Sequence, residues 1–151
     1  YGPGRVLRYL RGQGEAQEHV GHNPLGALSV FALLGALLAQ VLTGLMADDE
    51  IAFSGPLTRF VSGDTVAWAT SLHTDVGQWL LVTLVALHLA AIAFYTHIKR
   101  HSLVRPMVLG DKQLPASTPA SRDDARTRLL AAVVLAAAAA AAWWVAQLGV
   151  F

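Results

Sequence analysis

The sequence predicts an all-α protein that crosses a membrane, and three observations carry that prediction. Of its 151 residues, 54% are hydrophobic and only 14% are charged, against about a quarter charged in soluble domains. Three apolar runs each reach the roughly twenty residues a helix needs to cross the hydrocarbon core. The basic residues between these runs are distributed asymmetrically, as they are around spanning helices.

The first run, "NPLGALSVFALLGALLAQVLTGLMA" at residues 23–47, holds Gln40 and Thr43 as its only notable polar members. Asn23 followed by Pro24 reads as a helix start, because proline at the first helical position gives up no hydrogen bond. The second run, "VGQWLLVTLVALHLAAIAFYTHI" at residues 76–98, extends as a helix back past His73. The third, "LLAAVVLAAAAAAAWWVAQLGVF" at residues 129–151, is rich in alanine, which is close to neutral for insertion. Leucine, valine and the Trp143–Trp144 pair supply its bias, and no charge interrupts it.

The connecting segments set orientation. Residues 1–22 carry Arg5, Arg8 and Arg11, and residues 99–128 carry Lys99, Arg100, Arg105, Lys112, Arg122, Arg126 and Arg128. The segment at 48–65 is acidic, with Arg59 its one basic residue. Positive charge stays on the cytoplasmic side. Residues 1–22 and 99–128 are therefore expected in the cytoplasm, with 48–65 and the C-terminus on the outer face. "GRVLRYLRG" interleaves arginine with apolar residues, which suits either a short interfacial helix or a basic linker. "DKQLPASTPASRDD" is rich in Pro, Ser and Asp, so 114–128 reads as a flexible connection. The expected organisation is a basic segment (1–22), a two-span core (23–113), a linker (114–128) and a third span (129–151).

Composition also excludes chemistry. With no cysteine, the chain holds no disulfide, thiolate metal site or iron–sulfur cluster. A net charge of +1 makes no case for nucleic acid. Histidine remains as the one soft ligand in quantity, with six copies.

His88 sits at mid-span between Leu87 and Leu89. Ionisable residues at that depth face a bundle interior, a water path or a cofactor. A neutral histidine hydrogen-bonded to the next helix is the plain reading, and a proton relay lacks an accompanying carboxylate. His73 alone would be an interfacial residue. Together the two gain meaning, because fifteen residues of α-helix set them about 60° apart around the axis and roughly 22 Å apart along it. One helix face then presents an imidazole toward each side of the membrane, which is how ligands to two stacked haems are placed. Gly77 and Ala91, about one turn beyond each histidine, admit either a flat macrocycle or a close-packed helix. His97 joins Lys99, Arg100 and His101 in a cluster suited to anchoring at the cytoplasmic boundary. His19 and His22 precede the first span, and no group of histidines has tetrahedral zinc spacing.

Three stretches together, "GHNPLGALSVFALLGALLAQVLTGLMADDEIAFSGPL", "LHTDVGQWLLVTLVALHLAAIAFY" and "KRHSLVRPMVLGDK", resemble the bacterial cytochrome b561 and nickel–iron hydrogenase b-type cytochrome group. The similarity covers residues 20–113 and is closest to its small cytochrome b/b6-domain members. It implies a four- or five-helix bundle holding two b haems, of which three spanning helices are visible here. The resemblance implies that the second span runs over about residues 66–101, and His73 and His88 match the family's two ligating histidines on that helix. The histidine of "GHNP", His22, and the "LVRPM" segment with Arg105 are also typical of the group. Together with His97 and Arg100 they are candidates for the surroundings of haem propionates or a quinone headgroup.

Family members begin with two further spanning helices that supply the opposing haem ligands, and these are absent here. The opposing ligands are expected from a segment or subunit outside this chain, and the missing Met at position 1 favours upstream residues. The implied function is a respiratory electron-transport subunit of the bacterial inner membrane, rather than a complete enzyme. It would pass electrons between quinone or quinol and a c-type cytochrome or membrane oxidoreductase complex. Asp48, Asp49 and Asp75 suit either solvated loop acids or a docking face for a cationic partner. The competing expectation is a haem-free structural or assembly subunit that keeps the histidines only as hydrogen-bonding groups.

Overall fold

A computed structural model describes residues 4, 7, 8, 11, 24–100, 102–110, 118 and 122–149. Its elements are helices α1 (Pro24–Met46), α2 (Gly63–Ile98), α3 (Val104–Leu109) and α4 (Ala125–Gln147). A short 3-10 turn at Thr58–Phe60 precedes α2. The described residues contain no strand, only an isolated bridge between Asp48 and Ser54. Helices α1, α2 and α4 are each long and apolar enough to cross a membrane.

Leucine and alanine, both strong helix formers, dominate α1. Its 23 residues make a rod of about 35 Å at 1.5 Å per residue. The start of α2 is set by Ser62, whose hydroxyl accepts from the Thr65 N–H at 3.3 Å, with Asp64 in the first turn favouring the helix dipole. The 36 residues of α2 are not uniformly α-helical. Leu72–Gly77 and Phe94–Ile98 are π-helical turns. A π-turn changes the angular step between residues, so the uniform 100° step assumed between His73 and His88 does not hold through Leu72–Gly77.

Helix α4 starts four residues ahead of the apolar run because of local chemistry. The Asp124 carboxylate accepts from the Thr127 N–H at 2.8 Å, and the Asp124 N–H donates to the Thr127 hydroxyl at 3.0 Å. This reciprocal capping box pulls Ala125–Arg128 into the helix. Arg128 forks onto Asp123 at 2.7 and 2.8 Å beside it. The pair is exposed and adds little stability.

The chain falls into two compact units: Tyr1–Leu38 with Gln78–Thr118, and Ala39–Gly77 with Pro119–Phe151. In the first, partial burial on α2 follows Leu81, Leu84, His88, Ile92 and Tyr95. That is the three-and-four spacing of one helix face. On α1 the partly buried positions include Gly26, Ser29, Val30, Leu33 and Ala36. Phe31, Leu34, Trp79, Leu87 and Leu89 are exposed around them, an apolar surface suited to lipid.

The second unit contains the tightest packing. Ala69 is fully buried, and Thr43 and Ala47 are nearly so. Small residues let spanning helices approach closely. The loop after α1 folds back on the helix end, where the Gly55 N–H donates to Ala47 O at 2.8 Å and the Leu57 N–H to Leu45 O at 2.9 Å. These bonds occupy carbonyls that a helix terminus leaves unpaired. Gly55 is obligatory, since a Cβ there would strike the Leu45 backbone. The tip is held by Asp49, whose Oδ1 accepts from the N–H groups of Ile51, Ala52 and Phe53 at 3.0, 2.9 and 2.8 Å. Thr70 ties the loop to α2 by accepting from the Asp48 N–H at 3.0 Å. At the far end, Gly149 packs against Pro56.

Candidate functional site

The polar centre of the second unit is the His73 imidazole, on the first π-turn of α2. Gln40, Thr43 and Gly44 surround it from α1. The ring Nδ1 lies 3.0 Å from the Gln40 carbonyl oxygen and 3.3 Å from the Thr43 hydroxyl. The ring Nε2 lies 3.3 Å from the Gln40 Nε2, which also donates to the His73 carbonyl at 3.1 Å.

These contacts determine where the ring proton sits. A carbonyl only accepts, so Nδ1 facing Gln40 O carries the hydrogen. The Gln40 carboxamide is oriented by the His73 carbonyl, because turning it over would set two oxygen acceptors against each other. The amide N–H therefore also faces the imidazole Nε2, which must offer a lone pair. Both constraints give the same tautomer, with the hydrogen on Nδ1 and the Nε2 lone pair turned toward the Gln40 amide. That tautomer is the one an imidazole needs to ligate a metal through Nε2, with its other nitrogen held by an acceptor. An iron held here would take this lone pair in place of the Gln40 N–H.

The fit is close on both sides. A Cβ at Gly44 would lie 2.8 Å from the His73 Cε1, so only glycine leaves the ring its place. A Cβ at Gly77 would run into the Gln40 Oε1. That oxygen is buried and has no hydrogen-bond partner among the described residues, a costly arrangement for a polar atom. Of the two small-residue options at Gly77, the close approach made here is by a side chain of α1.

His88 has different surroundings. It belongs to the partly buried stripe of α2, while its neighbours Leu87 and Leu89 are 62% and 59% exposed. No described residue hydrogen-bonds to its imidazole. The ring thus sits on the inward face of a spanning helix with both nitrogens uncommitted among the described residues, where an ionisable residue is expected to have a use.

Among the remaining candidates, His97 and Arg100 are exposed at the end of α2, and Arg105 is exposed on α3. No hydrogen bond or ion pair joins these three among the described residues. Arg100 adopts a left-handed backbone, φ 58°, which turns the chain from α2 toward α3. His22, like His19 and His101, lies outside the described residues. No three His, Cys, Asp or Glu side chains are placed to hold a metal ion among the described residues.

Asp48, Asp49, Glu50 and Asp75 line an open cleft of about 560 Å³ with Thr70 and Thr74. Asp75 accepts from Ser71 and Thr74 at 2.9 Å each. Backbone N–H groups, first that of Phe53 and then those of Ala52 and Ile51, hold the Asp49 carboxyl below the usual carboxylate range.

The sequence singles out His73 and His88 and marks Gln40 and Thr43 as polar residues without giving them a role. Gly44, which packs against the His73 ring, is the member of this cluster that sequence reasoning misses. Its signal lies in Gln40, Thr43, Gly44 and Ala47, a polar and small face at helical spacing in an otherwise apolar span.

No curated protein and no solved structure matches this chain. A model of one protein family, prokaryotic cytochrome b561, matches residues 6–110 and so includes both α1 and α2 with His73 and His88. The chain therefore belongs to the prokaryotic cytochrome b561 family, membrane b-type cytochromes of electron transfer.

Proposed function

We propose that the protein carries electrons between the quinone pool and a periplasmic or complex-bound redox partner, with His73 and His88 as axial ligands of two b haems. The observation that carries this reading is the His73 tautomer: with Nδ1–H held by Gln40 O at 3.0 Å, Nε2 is the ring nitrogen that bears the lone pair. Bound haem supplies a one-electron iron couple, whose potential depends on the axial ligand, its hydrogen bonds and its burial.

The chain's own work is to present two imidazoles from one helix. At His73 it removes one ring nitrogen from competition, as metal-ligating histidines require. At His88 it places the imidazole on the partly buried stripe of the helix, while Leu87 and Leu89 on either side are exposed. The acidic loop and cleft belong, on this reading, to the periplasmic face. His97, Arg100 and Arg105 belong to the cytoplasmic face, where the two guanidinium groups and the imidazole suit propionates or a quinone headgroup. His22 is assigned to the same neighbourhood by its family motif alone. Opposing axial ligands come from a segment or subunit beyond this chain.

One observation favours a second reading. Every polar atom of the His73 ring is already satisfied within the protein, because the Gln40 amide faces its Nε2. A haem-free structural subunit would use the histidine in this way. A dithionite-reduced minus oxidised spectrum of the protein extracted from membranes in mild detergent separates the two. The electron-carrier reading expects a b-type α band. Its absence would leave only the structural reading.

A further inference from the structure

We infer that Thr43 is a positioning residue for the haem iron bound at His73, acting on the ligand's electron-donating strength through its Nδ1–H. The inference rests on the electron-carrier reading and adds to it a determinant of potential. Thr43 is 5% exposed, so its hydroxyl sits in the protein interior. The hydroxyl hydrogen is taken by the carbonyl of Ala39 at 2.8 Å, with Gln40 O at 3.2 Å as a weaker second acceptor. With its hydrogen so committed, the oxygen turns a lone pair toward His73 Nδ1 at 3.3 Å. The Nδ1–H is thus shared between two acceptors, Gln40 O and Thr43 Oγ1.

The chemistry of this arrangement has a definite sign. Each acceptor on Nδ1–H draws the proton outward and leaves the imidazole more anionic, hence a stronger donor at Nε2. A stronger donor favours the ferric over the ferrous iron and lowers the midpoint potential. Thr43 also bonds Gln40 O, so it orients the first acceptor as well as providing the second. Threonine suits this role because its back-bond to Ala39 fixes its rotamer. Valine has the same shape without the oxygen, and serine keeps the oxygen without the methyl.

Potentiometric titration of the α band in the haem-loaded protein tests this, comparing wild type with Thr43→Val and Thr43→Ser. The Val variant should keep both haems and shift one of the two potentials upward by up to about tenfold in the electron-transfer equilibrium, about 59 mV for a one-electron couple. The Ser variant should restore the wild-type value. The component that shifts should be the one lost in His73→Ala. Loss of that haem from the Val variant with rescue by Ser would support the same role, since removing a ligand's hydrogen-bond partner weakens metal binding by ~10–100-fold. Unmoved potentials in the Val variant, or a shift in the component lost in His88→Ala, would overturn the inference and leave the electron-carrier reading intact. A wild-type protein without an α band would overturn both.

Discussion

The Nδ1 of His73 lies 3.0 Å from the backbone carbonyl oxygen of Gln40, across two membrane-spanning helices. A backbone acceptor cannot be removed by evolution of its own side chain. It therefore gives the histidine a tautomer that depends on helix packing rather than on residue identity. The close approach that makes the bond depends in turn on glycine at 44 and 77 and on alanine at 47 and 69.

Glycine 44 should be sensitive in a selective way. In Gly44→Ala the new Cβ meets the tip of the His73 ring at 2.8 Å. A side chain tip can give by a few tenths of an ångström, so the fold should survive while the ring is displaced. The expected outcome is a detergent-stable protein with an altered or depleted haem signal, read from its absorption spectrum and from its melting temperature. A wild-type spectrum would show that the ring position has no bearing on the haem.

Gly55→Ala should do the reverse. Its Cβ meets the backbone of Leu45 at 2.7 Å and Gly44 O at 2.8 Å, and backbone atoms of a helix do not yield. Overpacking of this kind costs about 1–3 kcal/mol. The melting temperature should fall, with faster amide exchange at Gly55 and Leu57, whose N–H groups bond to Ala47 O and Leu45 O.

The acidic loop carries a pH dependence. The folded state holds the Asp49 carboxyl below its ordinary value of 3.8. A depressed carboxylate contributes order that is complete above the unfolded value and is lost as pH falls through the folded one. Amide exchange at Ile51, Ala52 and Phe53, corrected for intrinsic rate, should stay protected at neutral pH and accelerate only in strong acid. Asp49→Ala should remove the protection at every pH. Asp124 is held low by the Thr127 hydroxyl first and its N–H second, so the first turn of α4 should loosen in the same direction.

Orientation is testable because the chain contains no cysteine. A single cysteine replacing the exposed Ala52 should react with an impermeant maleimide in intact spheroplasts. One replacing the exposed Ser102 should react only after permeabilisation. The opposite pattern would invert the topology read from the arginines.

The spans and both central histidines were legible because lipid leaves a strong trace in sequence. A run of twenty apolar residues is rare outside a membrane span, and an imidazole among leucines stands out. The remaining features came from packing. The π-turns at Leu72–Gly77 and Phe94–Ile98 leave no compositional mark, so the 60° offset inferred for a uniform helix could not anticipate them. The early start of α4 turns on Asp124 and Thr127, a less familiar pair than the serine and glutamate of the usual capping box. Gln40 was visible as a polar residue in a span, yet its partner His73 lies 33 positions away. Only the packing of α1 against α2 in the second unit joins them.

The ligand assignment is tested most directly by the haem-to-protein ratio of wild type, His73→Ala and His88→Ala, each extracted from membranes and assayed as the pyridine haemochrome. Two haems per chain in the wild type and one in each variant is the expected result. A full complement of haem in both variants would contradict the assignment.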